Sequence, residues 1–186
     1  ITMLSIVLTG AALIREREHG TIEHLLVMPV SPAEIMVSKI WSMGLVVLAA
    51  SWFSLVAVVE GALRVPTQGS MALFLFGAAL QLVTTTSLGI FLATIAGSMP
   101  QFGLLLMLVL LPLQVLSGSV TPRESMPQML QDLMLGAPNT HFVIIAQAIL
   151  LRGAGLEVVW PNLAALAAIG AVLFFFALRR FRAFLR

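Results

Sequence analysis

The sequence has 186 residues, 60% hydrophobic and 10% charged, with ten Lys or Arg against eight Asp or Glu and a net charge of +2. Its mean hydropathy of +1.06 excludes a soluble domain, whose surface would need far more charge. The lack of cysteine also excludes a disulfide framework, a thiolate metal site and a thiol nucleophile. What remains is an integral membrane protein, and its long apolar runs predict an all-α, polytopic bundle of membrane helices.

In chain order, residues 1–14 form an apolar run that is short of the roughly 20 residues a helix needs to cross a bilayer. The run has no initiator Met and no signal-peptide pattern, so we read it as the end of a span whose beginning is missing. Arg15 to Lys39 is then a polar insert of about 25 residues between apolar runs, which must lie in water. It holds three of the ten basic residues, four of the eight acids and two of the three histidines.

Within the insert, Gly20-Thr21-Ile22-Glu23 predicts a helix start, with Thr21 as cap and acids at the positive end of the dipole. Ile22, Leu25, Leu26 and Pro29 give it a short apolar face. Ser31-Pro32-Ala33-Glu34 predicts a second start, a capping box with Pro at the first helical position. A short helix, a proline break and the lead-in to the next span together have the form of a docking element. A charged surface helix on an ordinary loop is the plainer reading.

Further spans are predicted over Ile40–Val59, with Trp41 at the interface, and over Met71–Ala96. Residues 64–69 form the turn between them. Gly97–Gln101 is a tight turn into a fourth span, Phe102–Ser117, which Pro112 should kink. The segment 118–159 is polar at first. It ends in an apolar run, with His141–Arg152 too short to cross and predicted to lie at the interface or re-enter. Asn139 or Thr140 should cap it, and Arg152 and Gly153 suit its end. Trp160–Leu178 is the last span, followed by a basic tail.

If the spans alternate sides, Arg15, Arg17, Lys39, Arg179, Arg180, Arg182 and Arg186 share one side. Arg64, Arg123 and Arg152 lie on the other. The positive-inside rule makes the first side, and the C-terminus, cytoplasmic.

Catalytic signals are few. His19 and His24 are five residues apart, which does not place two imidazoles on one helix face, and His24 is in no zinc-helix motif. No glycine-rich phosphate loop with its lysine is present. Glu60 sits near a span end and reads as an interfacial acid. Gln81, Thr84, Thr85, Thr86 and Ser87 lie near the centre of a span. Such groups mostly hydrogen-bond their own helix or a neighbour; the alternative is a polar lining for a substrate path, which Gln114 would share. An intramembrane enzyme would need paired ionisable groups at membrane depth, and none is visible.

The string from Arg15 to Leu26, followed by Pro29, resembles the first cytoplasmic loop of type-2 ABC transporter permeases, R-E-[RK]-E-x-G-T-x-E-x-L-x-x-x-P. The string P-N-T-H-F-V from Pro138, with Gln147-Ala148-Ile149-Leu150 and Arg152-Gly153, resembles a later region of the same family. The resemblance implies a six-span permease domain whose first span and part of its second are missing here. It implies that Arg15, Glu16, Arg17, Glu18, Gly20, Thr21, Glu23, Leu26 and Pro29 belong to a coupling helix that touches a separate ATPase subunit, where ATP would bind. No catalytic, cofactor or metal residue is expected in this chain.

The expected partners are that ATPase, a second permease subunit as homo- or heterodimer, a periplasmic adaptor protein and membrane lipid, with no nucleic acid. The implied role is export of drugs, lipids or polysaccharide-like molecules from a bacterial inner membrane. A non-transporting membrane scaffold is the alternative.

Overall fold

In hydrocarbon every backbone N–H and C=O must be paired within the protein, and the computed structural model meets this demand with helices. It describes residues 1–19, 30–62, 64, 67–122 and 125–184. Among them the elements are α1 (Thr2–Glu18), α2 (Pro32–Phe53) running on as a π-helical segment (Ser54–Ala62), α3 (Met71–Ile95), α4 (Met99–Val115), α5 (Gln128–Met134), α6 (Pro138–Arg152) and α7 (Leu156–Phe184).

Local chemistry explains most of the boundaries. At the start of α2 the Glu34 N–H donates to Ser31 Oγ at 3.3 Å, and the Ser31 N–H donates to Glu34 Oε2 at 2.7 Å. This is the capping box read from the sequence, with Pro32 in the first turn. The helix therefore begins eight residues before Ile40, because capping and not hydropathy sets its start. With its π-helical extension it is 31 residues long. Its last turns hold Glu60, whose carboxylate accepts a hydrogen bond from the Thr67 hydroxyl.

Ser70 caps α3 through Leu73 N–H. Helix α4 closes at Val115, one turn after Pro112. Gly153, at φ 65°, ends α6, and the amides of Gly153 and Ala154 return to the carbonyls of Ile149 and Ala148. This left-handed residue is the usual glycine stop.

The expected cap of α6 is not realised. Asn139 and Thr140 both lie inside the helix and are buried, while Pro138 takes the first turn and Ala137 the cap position without a side-chain bond. Proline's fixed φ suits that first turn, and the Asn139 amide is engaged elsewhere. Helix α7 is also longer than Trp160–Leu178, since polar residues at both ends continue it.

Helix α3 is the axis of the bundle and packs on α1, α2, α4, α6 and α7. Two apolar clusters line it. One joins Ile6, Leu13, Ile14, Met36, Phe102 and Phe181. The other joins Phe74, Phe142, Ile145, Ile149, Val159 and Leu166. Small residues allow close helix approach, as is common between membrane helices. A Cβ built on Gly89 of α3 would stand 2.8 Å from the Ile6 carbonyl oxygen of α1. Helix α2, by contrast, is almost wholly exposed within this chain.

Among the described residues, α2 with its extension, α3 and α7 are long and apolar enough to cross a membrane, and α5 with α6 forms an apolar pair bent by 93°. The direction of α6 follows from its neighbours. Near its start, Asn139 meets Gln81, ten residues into α3 and so about 15 Å from that helix's beginning. Near its end, the Leu150 carbonyl accepts from the Gln68 N–H at 3.2 Å, at the mouth of α3. The stretch 117–122 that precedes α5 lines the same cavity as Arg152. Both ends of the α5–α6 elbow thus lie at the end of the bundle where α3 begins.

Candidate functional site

Two polar constellations stand out in this apolar chain, one at each end of α1. The first is the root of the Arg15–Lys39 loop. Glu16 holds Lys39 of α2 with both carboxylate oxygens, at 2.5 and 2.6 Å, and the pair is largely shielded from solvent. Arg17 Nη1 donates to the Ala96 carbonyl at 3.0 Å, an oxygen that the end of α3 leaves without a helical partner. Glu18 Oε1 accepts from the Met99 N–H at 3.1 Å, one of the unpaired donors at the positive end of α4.

Three consecutive side chains in the last turn of α1 therefore tie it to three other helices, two turns into α2 and at the facing ends of α3 and α4. Arg15 is exposed, and its carbonyl accepts from the His19 backbone N–H. Gly20, Thr21, Glu23, Leu26 and Pro29 lie outside the described residues.

The second constellation is a buried polar seam where α1, α3, α4 and α6 meet. Thr2 Oγ1 donates to Asn139 Oδ1 at 2.7 Å and accepts from Gln81 Nε2 at 3.0 Å. Asn139 Nδ2 reaches the Leu113 carbonyl of α4 at 3.2 Å. One turn along, the Ser5 and Thr85 hydroxyls stand 2.6 Å apart. Thr84, Thr85 and Ser87 each bond a carbonyl one turn back in α3. Thr9 Oγ1, Gln81 Oε1, Thr86 Oγ1 and Thr140 Oγ1 are buried with no hydrogen-bond partner among the described residues.

Of the polar residues singled out in the sequence, Gln81, Thr84 and Thr85 are thus inside the chain, at most 1% exposed. Gln114 is half-buried, and no bond of its side chain joins the seam. Sequence reasoning missed Thr2, Ser5 and Thr9 and read Asn139 only as a cap. Their signal was the spacing of Thr2, Ser5 and Thr9, which puts three small hydroxyls on one helix face.

Nearer the mouth of α3, His141 lies between the Leu135 carbonyl (Nε2, 2.8 Å) and the Asn162 side chain (Nδ1, 3.0 Å). It pins the α5–α6 elbow to α7. Among the described residues no three His, Asp or Glu side chains are grouped to hold a metal ion.

Comparison with known proteins places this architecture. Residues 1–151 match the family model described as ABC-2 type transporter. The chain is 68% identical over 182 residues to "Inner membrane transport permease YhhJ" of Escherichia coli (strain K12), covering 98% of this chain and 49% of that protein. It is 31% identical over 157 residues to "Probable multidrug ABC transporter permease YbhR" of the same organism, covering 84% of this chain and 42% of that protein. To "Probable multidrug ABC transporter permease YbhS" it is 30% identical over 159 residues, covering 82% of this chain and 41% of that protein. The chain spans about half the length of the curated relatives it matches. An all-helical bundle with apolar crossing helices, matched by a family model over most of its length, belongs to the ABC-2 type transporter family, whose members are membrane permeases.

Proposed function

We propose that this chain is the membrane part of an ATP-driven exporter, and that its 15–39 loop is the element through which a separate ATPase subunit moves the helices. The observation that carries the proposal is the triple tie of Glu16, Arg17 and Glu18 to α2, α3 and α4. A loop free to move at its root would transmit nothing. One clamped to three helices would pass a displacement into the bundle, because packed helices shift as bodies.

The side of the bundle that carries this loop also carries Arg179, Arg180 and Arg182 at the end of α7, so it is the cytoplasmic side by the positive-inside rule. The relatives' names support an inner-membrane location and, for two of them, multidrug transport. The cargo is a drug-like, lipid or polysaccharide-like molecule, the classes that the family resemblance implies, and the two multidrug names support the first of them. A second permease subunit completes the transporter, and a periplasmic adaptor protein joins it on the outer side. Gln81 and Thr85 line the path, beside the half-buried Gln114, only in a state where α1 and α6 have moved off α3. Thr84, which faces Gly170 of α7, joins them only if α7 moves as well. In the present arrangement that space is closed.

The test is nucleotide-dependent capture of an ATPase subunit by the purified permease, with and without Glu23→Ala and Leu26→Asp in the loop. Capture by the wild type and its loss in the variants are expected. Equal capture by both would show that the loop is not the contact, and capture by neither would favour a scaffold over a transporter.

A further inference from the structure

At the end of the bundle opposite the loop, a cavity of about 730 Å³ opens between α6, the start of α7 and the stretch 117–122. Its wall is mixed, with Gln131, Gln147, Arg152 and Asn162 among aliphatic side chains, and Arg152 is the only charged residue among the described ones that line it. Neither Arg152 nor Gln147 makes a hydrogen bond or ion pair with any described residue. The nearby acids Asp132 and Glu157 do not line the cavity. Its cation thus faces a space that no carboxylate among the described residues lines.

A second cavity, of about 640 Å³, lies between α3, α4, α7 and the elbow, and its lining is almost entirely apolar. Its depth follows from shared helices. Asn162 and Val159 line the first cavity, whereas Ala168, Ile169 and Val172 of the same helix line the second. Six or more residues along α7 amount to about 9 Å or more. On α4 the order is the same, with Leu113 in the apolar cavity and Ser117, just past the helix end, in the charged one.

From the end of the bundle inward, the order is therefore cation and amides first, hydrocarbon second. Arg152 itself stands beside the Gln68 turn that opens α3, the level at which a bilayer places its headgroups. That order matches one kind of molecule.

We propose that the two cavities together bind one anionic phospholipid of the outer leaflet, its phosphate on the Arg152 guanidinium and Gln147 amide and an acyl chain in the groove lined by Leu113, Ala168 and Val172. Arginine suits the headgroup because its planar donors engage two phosphate oxygens at once. The proposal concerns a bound lipid and does not depend on what the protein exports.

The experiment is native mass spectrometry of the full-length permease released from nanodiscs, titrated with phosphatidylglycerol or phosphatidylcholine. The wild type is expected to retain phosphatidylglycerol in preference. Arg152→Gln should weaken that retention about tenfold, the effect of one charge-assisted contact. Ala168→Phe, which fills the apolar groove but spares the cation, should weaken both lipids alike, and Arg180→Gln at the other end should change nothing. Unchanged retention in Arg152→Gln, or equal retention of both lipids by the wild type, would overturn the proposal. Displacement of phosphatidylglycerol by millimolar inorganic phosphate would also overturn it, by showing a free-anion site without need of the acyl groove.

Discussion

Substituting Gly89 by Ala tests the packing of α1 on α3, on which both polar constellations depend. A Cβ at Gly89 would meet backbone atoms of Ile6, with the carbonyl oxygen at 2.8 Å, Cα at 3.2 Å and the carbonyl carbon at 3.4 Å. Backbone cannot rotate away as a side chain can, so the two helices must separate by about 0.5 Å to reach ordinary contact. Ser5, next to Ile6, holds Thr85 at 2.6 Å, and the same movement would stretch that bond toward the limit for a good O–H···O. Overpacking of this kind costs about 1 to 3 kcal/mol.

Gly103 of α4 is the internal control. A Cβ there meets nothing within 4 Å, and Gly to Ala inside a helix gains about 0.5–1 kcal/mol. Thermal unfolding of the two variants in one detergent, followed by circular dichroism, gives the answer. Gly89→Ala should melt several degrees below the wild type, and Gly103→Ala at or above it. A Gly89→Ala protein as stable as the wild type would refute the close approach.

Glu16→Lys or Lys39→Glu alone should weaken transport and stability by about 1–2 kcal/mol, between the values for exposed and buried pairs. The double swap should restore part of the loss, which a double-mutant cycle in proteoliposomes would read. Gln81→Leu removes a donor to Thr2 and also an unpaired oxygen, so stability should change by less than about 1 kcal/mol. Lost transport in that variant, with normal melting, would mark Gln81 as path-lining. Cysteine placed at Gln68 or Gly155 should react with an impermeant thiol reagent from outside sealed cells, and cysteine at Ser31 should not. Reversed labelling would overturn the orientation.

Signals confined to one turn were the legible ones. Ser31, Pro32 and Glu34 announce the start of α2, and the pairing they imply is the pairing found. Gly153 announces the end of α6 in the same way. Hydropathy, however, reports what can lie in lipid and not where a helix begins. That is why α2 and α7 extend past the apolar runs that marked them.

Asn139 shows the competing effect. Its type suits a cap, but three partners on α1, α3 and α4 hold its side chain in the interior. Those partners lie up to 137 positions away in the chain, and no local rule reports them. The polar run at Gln81–Ser87 was visible, yet which helix it faces was not. Likewise Glu16, Arg17 and Glu18 drew attention as loop charges, while their anchoring to three other helices depends on tertiary packing alone.

The central claim, that the 15–39 loop links ATP hydrolysis to movement across the membrane, is tested most directly by ATP-driven accumulation of a fluorescent amphipathic dye in inverted membrane vesicles. The full-length permease, together with its ATPase, would be compared with a variant in which Glu16, Glu18 and Glu23 are all Ala. The wild type should accumulate dye when ATP is added. The variant should insert normally and leave ATP hydrolysis running, yet accumulate little or none. Accumulation by the triple variant at the wild-type rate would contradict the account.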